Sequence, residues 1–273
     1  MTESDRGSAA RRPRAAVEAA ALARLYDHDL SEEPGDLDLY RALAGRTGGP
    51  ILELAVGTGR IAVPLAAEGY EVTGVDVDEQ MLDRARSRAA SEPSGTATRL
   101  RLELGDARRI RLRDAGGYRL GIVALNSLML VGSRAEQARV FVTLAAHLAS
   151  GGLAAVDVWL PDADDLARFD GRIVLEHARV EPESGRIVTK AASAIHDAAT
   201  GTVRLTQIYE EGEPGEAAVR WLRQDVLRLV SADELVAFAE DAGLEVETLA
   251  GGYDLEPFGP GADRAILVAR APG

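Results

Sequence analysis

One run constrains this chain more than any other: Glu53-Leu54-Ala55-Val56-Gly57-Thr58-Gly59-Arg60. An apolar strand pattern over 51–56 meets a glycine-rich turn and passes into a helical pattern over 60–68. Glycine there supplies positive φ and lets a ligand approach the backbone closely. The rhythm then repeats. Residues 71–77 read as a second strand, and Asp78 caps a helix to about Ala90. Residues 100–104 and 120–125 read as strands, 134–149 as a helix closed by Gly151-Gly152, and 153–159 as a fifth strand. Short apolar strands alternating with helices predict an α/β chain with a parallel sheet covered on both faces.

After Pro161 the period changes to two. Residues 173–180, 186–196, 202–209 and 219–230 are strand patterns separated by turn residues, which predicts an antiparallel insertion. Ser231-Ala232-Asp233-Glu234 has the form of a capping box for a helix ending at Gly243. Residues 244–249 and 265–269 then complete the main sheet. At the other end, residues 1–13 are nearly devoid of apolar side chains and read as a loose tail. Helical spacing begins at Arg14 and ends at Tyr26-Asp27, and a second short helix follows Pro34-Gly35. The expected organisation is a tail (1–13), a core with N-terminal helices (14–162), an insertion (163–230), and a helix with the last strands (231–273).

Composition narrows the function. Asp and Glu number 44 against 31 Lys plus Arg, a net charge of -13. That surface repels phosphate backbones, so nucleic acid is not an expected partner. Cysteine is absent, which excludes disulfide scaffolds, thiolate metal sites and cysteine nucleophiles. Lys190 is the only lysine, so lysine Schiff-base chemistry would have to use it. No apolar run reaches membrane-span length and no signal-peptide core follows Met1, so a cytoplasmic location without a membrane partner is expected. No spaced cluster of His, Asp and Glu suggests a metal.

Gly57-Thr58-Gly59-Arg60-Ile61-Ala62 alone also fits the dinucleotide pattern G-x-G-x-x-A. With Asp76 at the end of the second strand, placed for ribose hydroxyls, an NAD-dependent oxidoreductase is one reading. Gly105-Asp106-Ala107 at the end of the third strand adds a second acid at the same level. That suits an adenine amino group lying between the two strands.

Together these residues resemble the class I S-adenosylmethionine-dependent methyltransferases. Residues 53–60 are similar to their first motif, 71–76 to the second-strand motif and 105–107 to the third. Leu125-Asn126-Ser127 resembles the loop after their fourth strand. One departure is Ala55, where many members carry glycine. The resemblance implies a seven-stranded Rossmann-like methyltransferase sheet with an antiparallel β insertion after the fifth strand. It implies S-adenosylmethionine as cofactor and S-adenosylhomocysteine as product. Gly57 and Gly59 would pass under the methionine part, Glu53 would orient backbone around its amino group, Asp76 would hold ribose and Asp106 adenine. Val77 and Met81 would pack on adenine, and Asn126 and Ser127 would lie beside the sulfonium. Tyr26, Arg60, Gly105 and Ala107 complete the expected cofactor set.

The insertion is expected to cover the carboxyl edge of the sheet and choose the methyl acceptor. The segment after the fourth strand lacks the Pro-Pro-aromatic pattern of nucleic-acid amino methyltransferases. The layout is similar to small-molecule N-methyltransferases, including those acting on amino sugars and natural-product peptides, with O-methylation left open. His196 and Tyr209, both ending strand runs beside turns, are the expected catalytic residues. A non-catalytic cofactor-binding regulator and a homodimer also stay open.

Overall fold

The glycine-rich turn lies at the centre of a seven-stranded sheet. The computed structural model describes residues 17–30, 35–213 and 215–273; the expected tail, 1–13, lies outside them. In chain order the elements are α1 (17–29), α2 Leu37–Thr47, β1 Ile51–Leu54, α3 Ala62–Ala67, β2 Val72–Asp76, α4 Glu79–Ser91, α5 Thr96–Arg99 and β3 Leu100–Leu104. Next come β4 Tyr118–Val123, a 3-10 turn Ser127–Leu130, α6 Arg134–His147, β5 Leu148–Trp159 and α7 Ala163–Arg168. The chain continues with β6 Asp170–Val180, β7 Ile187–Asp197, β8 Thr202–Gly212, β9 Val219–Arg228, α8 Ala232–Asp241, β10 Glu245–Ala250 and β11 Arg264–Arg270.

The main sheet has the order β10-β11-β5-β4-β1-β2-β3. β1 to β5 are parallel, while β11 runs antiparallel to β5 and β10 antiparallel to β11. β1 is buried along its whole length because helices cover both faces. Leu52 and Leu54 pack with Phe141, Leu144 and Phe238 on one side. Ile51 packs with Tyr40, Leu65 and Leu82 on the other. Truncating Leu52 to alanine would cost about 2–5 kcal/mol at such a site. This layering puts the carboxyl ends of β1, β2, β3 and β4 at one edge, where open α/β sheets bind ligands.

The observed boundaries differ from the expected ones where backbone geometry intervenes. β1 stops at Leu54 because Ala55 turns left-handed, with φ 57°. β5 begins at Leu148 rather than 153 and absorbs Gly151, whose φ is 72°. α7 was not expected, since it buries no residue and so carries no apolar period. It is held by the reciprocal capping of Asp162 and Asp165.

The insertion is a second sheet, β6-β7-β8-β9, antiparallel throughout. Cross-strand rows fix its two faces. His177, Lys190, Tyr209 and Trp221 share one row, and Leu175, Ala191, Ile208 and Leu222 lie on the opposite face. The first face carries α1, with Leu25 fully buried against Val188 and Tyr209. Charges fasten α1 in place. Arg24 pairs with Glu181 and Glu211, and Asp29 with Lys190 and His177. On the α4 side Asp27 takes Arg84 and Arg88.

Candidate active site

A cavity of about 740 Å³ opens at the carboxyl edge. Its wall includes Tyr26 of α1, Ala55 and Gly57 of the glycine-rich turn, and Asp76, Val77 and Met81 after β2. Gly105 to Arg108 after β3, Ser127 after β4, and Arg223 to Val226 of β9 also line it. The insertion therefore shares a wall with the glycine-rich turn, because β9 is the edge strand nearest the 3-10 turn.

The turn is built from alternating left-handed residues, Ala55 (φ 57°), Gly57 (φ 54°) and Gly59 (φ 77°). A Cβ on Gly57 would meet nothing within 4 Å, since it would project into open space. A Cβ on Gly59 would fall 2.8 Å from Val63 Cγ2 and 3.1 Å from Ala85 Cβ. Gly57 therefore leaves the ligand side clear, while Gly59 lets α3 and α4 pack. Ala55 holds a conformation that costs a non-glycine residue about 1–2 kcal/mol. That cost is the physical reason glycine suits this position.

Asp76 organises the turn. Its Oδ2 accepts the Gly57 N–H at 2.8 Å and its Oδ1 the Asp78 N–H at 2.9 Å. Burial raises its carboxyl above the usual range, while those backbone donors pull it down. Asp78 separately caps α4 by accepting from Gln80 N–H.

Glu53 is 3% exposed, and its Oε2 has no partner within the protein. Thr58 Oγ1 is likewise buried and unpartnered. Burial pushes the Glu53 carboxyl up to about 8, against the lowering effect of the Arg60 guanidinium. Arg60 itself forms a two-pronged pair with Asp36, at 2.5 and 2.6 Å; it is not on the cavity wall. Orphaned buried polar atoms are costly, and a ligand carrying an ammonium and hydroxyls relieves that cost. The amino-acid and ribose parts of S-adenosylmethionine fit this donor and acceptor set.

Asp106 lies on the cavity wall and has a partner within the chain. Its carboxylate is engaged by Arg108, which donates through its backbone N–H at 2.9 Å and Nη2 at 2.7 Å and also reaches Glu136. The Arg108 contacts hold the Asp106 carboxyl down at about 2. Sequence reasoning missed Arg108, since proximity to the acid in the chain does not show that its guanidinium folds back. Val77 is 69% exposed on the cavity rim, whereas Met81 is 8% exposed on its wall. Gly105 packs tightly, since a Cβ there would lie 2.4 Å from Ile110 Cδ1.

Beside Ser127, Leu125 (φ 48°) and Asn126 (φ 64°) are consecutive left-handed residues. Asn126 Oδ1 accepts the Trp159 backbone N–H at 2.5 Å. That donor fixes the side-chain orientation, so the amide NH2 is what Asn126 has left to offer.

On the insertion side, Tyr26 lies under Arg223, whose guanidinium is 6.0 Å from the ring centroid. Burial raises the Tyr26 phenol above its ordinary value. Arg223 pairs with Asp225 at 2.7 Å. The two expected catalytic residues are absent from the cavity wall. Tyr209 points to the correct face but is 3% exposed beneath α1, packed with Leu25 and Val188. His196 pairs with Val203, and its N–H donates to Phe169 O. Among the described residues no group of three or more His, Cys, Asp or Glu could hold a metal. No described helix is long and apolar enough to cross a membrane.

A central parallel sheet ending in antiparallel β11, with this turn and two acids at its edge, defines the class I methyltransferase architecture. The methyltransferase-domain family pattern matches residues 51–152. A putative methyltransferase of Bacillus subtilis is 39% identical over 71 residues, 26% of this chain and 29% of its own length. A dTDP-3-amino-3,4,6-trideoxy-alpha-D-glucopyranose N,N-dimethyltransferase of Streptomyces venezuelae is 26% identical over 227 residues, 82% of this chain and 87% of that protein. The CcbJ methyltransferase from Streptomyces caelestis superposes with a TM-score of 0.73 at 27% identity, covering 88% of this chain and 97% of CcbJ. Residues 51–152 form a methyltransferase domain, and the chain is an S-adenosylmethionine-dependent methyltransferase. The oxidoreductase and non-catalytic readings are set aside by these matches.

Proposed function

We propose that this enzyme N-methylates a small-molecule amine, with an amino sugar borne on a nucleotide as the leading acceptor class. One observation carries the reading: the insertion's β9 contributes Arg223, Gln224 and Asp225 to the cavity that the cofactor turn also lines. Its size is that of a small-molecule site, and the chain's net charge of -13 disfavours nucleic acid. The Streptomyces venezuelae relative, named for amino-sugar N,N-dimethylation, supports the class.

Bound S-adenosylmethionine supplies an electrophilic sulfonium methyl group. Asp76, with the Gly57 N–H in its grip, is proposed to take the ribose. Glu53 would receive the ammonium, and Asp106 and Ala107 the adenine edge, with Met81 beneath it and Tyr26, Ala55 and Gly105 completing the wall. Arg60, off the wall, would act by holding Asp36 and biasing Glu53. On the acceptor side Asp225 is the carboxylate near enough to the β9 wall to orient an amine, and Arg223 holds it in place. Amine methylation needs a neutral nucleophile aligned with the methyl, so proximity can supply most of the rate. α1 and β9 wall the acceptor side of the cavity. His196 and Tyr209 have no part in this scheme.

The test is incubation with S-adenosylmethionine and a panel of dTDP-amino sugars, simple amines and phenols, read by mass spectrometry. Methylated amino sugar is expected. Turnover of phenols or alcohols with none of the amines would refute the reading.

A further inference from the structure

Asp157 lies near the end of β5 and is fully buried. Its carboxylate has four donors from four places in the chain. Tyr40 Oη of α2 donates to Oδ1 at 2.5 Å, and the Leu125 N–H to the same oxygen at 2.8 Å. Arg264 of β11 donates to Oδ2 at 2.7 Å, and Tyr253 Oη to it at 3.3 Å. Arg264 also sits over the Tyr253 ring, 4.5 Å from its centroid. The backbone carbonyl of Asp157 accepts the next amide, Asn126 N–H, at 3.3 Å. One residue thus grips the N–H groups of both consecutive left-handed residues after β4. A leucine in that region is strained and persists only where its surroundings over-determine it. Asn126 is held again by Trp159, two residues further along the same strand. The turn so fixed ends at Ser127, on the cavity wall.

We infer that Asp157 is a positioning residue for cofactor binding: its buried carboxylate, anchored by Tyr40, Tyr253 and Arg264, locks the left-handed Leu125–Asn126 turn so that Ser127 meets the cavity in one fixed shape. A buried carboxylate used only for stability could equally be an apolar side chain. Here it spends one acceptor site on the least favourable backbone residue of the turn. The inference rests on the cavity being the cofactor site and is independent of the acceptor, so it stands or falls apart from the amine reading.

Calorimetry with S-adenosylhomocysteine tests it, with circular dichroism and thermal melts recorded on every protein. Asp157→Ala should weaken binding by about tenfold or more. Glycine adopts positive φ without strain, so in a Leu125→Gly background the same substitution should cost less than about threefold. The coupling between the two sites is the signature, since a merely structural loss would lower melting temperature equally in both backgrounds. A folded Asp157→Ala protein binding within about twofold of wild type, or an equal loss in both backgrounds, would overturn the inference. A further measurement needs no variant. Hydrogen exchange in the cofactor-free wild type should find the Leu125 and Asn126 amides protected as strongly as the β5 core, and rapid exchange at both would also overturn it.

Discussion

The Gly57 amide donates to Asp76 Oδ2 at 2.8 Å while the other oxygen of that carboxylate holds the Asp78 amide. The acid read as a ribose ligand is therefore also the brace between the glycine-rich turn and the start of α4. Asp76→Ala removes both functions. S-adenosylhomocysteine affinity should fall by more than about tenfold, and the melting temperature should fall with it. Unchanged calorimetric affinity would show that the brace is dispensable.

Ala55 adopts φ 57°. Replacing it with glycine removes the left-handed penalty but frees the unfolded chain, so the net gain should be about 0.5–1 kcal/mol. Urea unfolding measures this, and a lower midpoint for Ala55→Gly would contradict it.

Glu53 gives a pH signature. Burial raises its carboxyl to about 8 from an unfolded value of 4.5. Between those values the folded, cofactor-free protein holds a proton that the unfolded chain has released. Its stability therefore declines as pH rises from 4.5 toward 8. Glu53→Gln should flatten that part of the stability profile. An ammonium arriving at Oε2 favours the ionised carboxylate, so binding at pH 7 should release protons. Calorimetry in buffers of different ionisation enthalpy would detect the release, and proton uptake would count against the assignment.

The outer face of the second sheet exposes Ile173, Leu175 and Leu222, each at least 47%. Strand rise and spacing give that face an area of roughly 700 Å², close to the ~800 Å² per partner of a standard interface. The expected outcome is a homodimer through this face. Light scattering should report a dimer for the wild type and a monomer for Leu175→Glu, with S-adenosylhomocysteine binding retained. A monomeric wild type would dismiss the pairing.

The order of β–α units was legible because glycine and aspartate punctuate successive strand ends, and Ser231 with Glu234 marked α8. The carboxyl edge was legible for the same reason, since Gly57 lies just past β1, Asp76 ends β2 and Gly105 directly follows β3. Arg108 was less so, because nothing in Asp106-Ala107-Arg108 shows that the guanidinium folds back onto the acid. Asp157 was invisible, as its partners come from α2, the β4 turn, the β10–β11 loop and β11. Tyr209 shows a different limit. Strand parity selects a face but does not say which element will cover it, and α1, with Leu25 at its centre, covers this one.

α1 presents Tyr26 to the cavity and is tied on either side by ion pairs, Arg24 to the second sheet and Asp27 to α4. Those pairs are mostly buried, so dissolved ions screen them far less than surface pairs, and the fully buried Leu25 adds apolar contact that salt does not weaken. α1 should therefore keep Tyr26 at the cavity over a wide range of salt, so that S-adenosylhomocysteine affinity changes little with ionic strength.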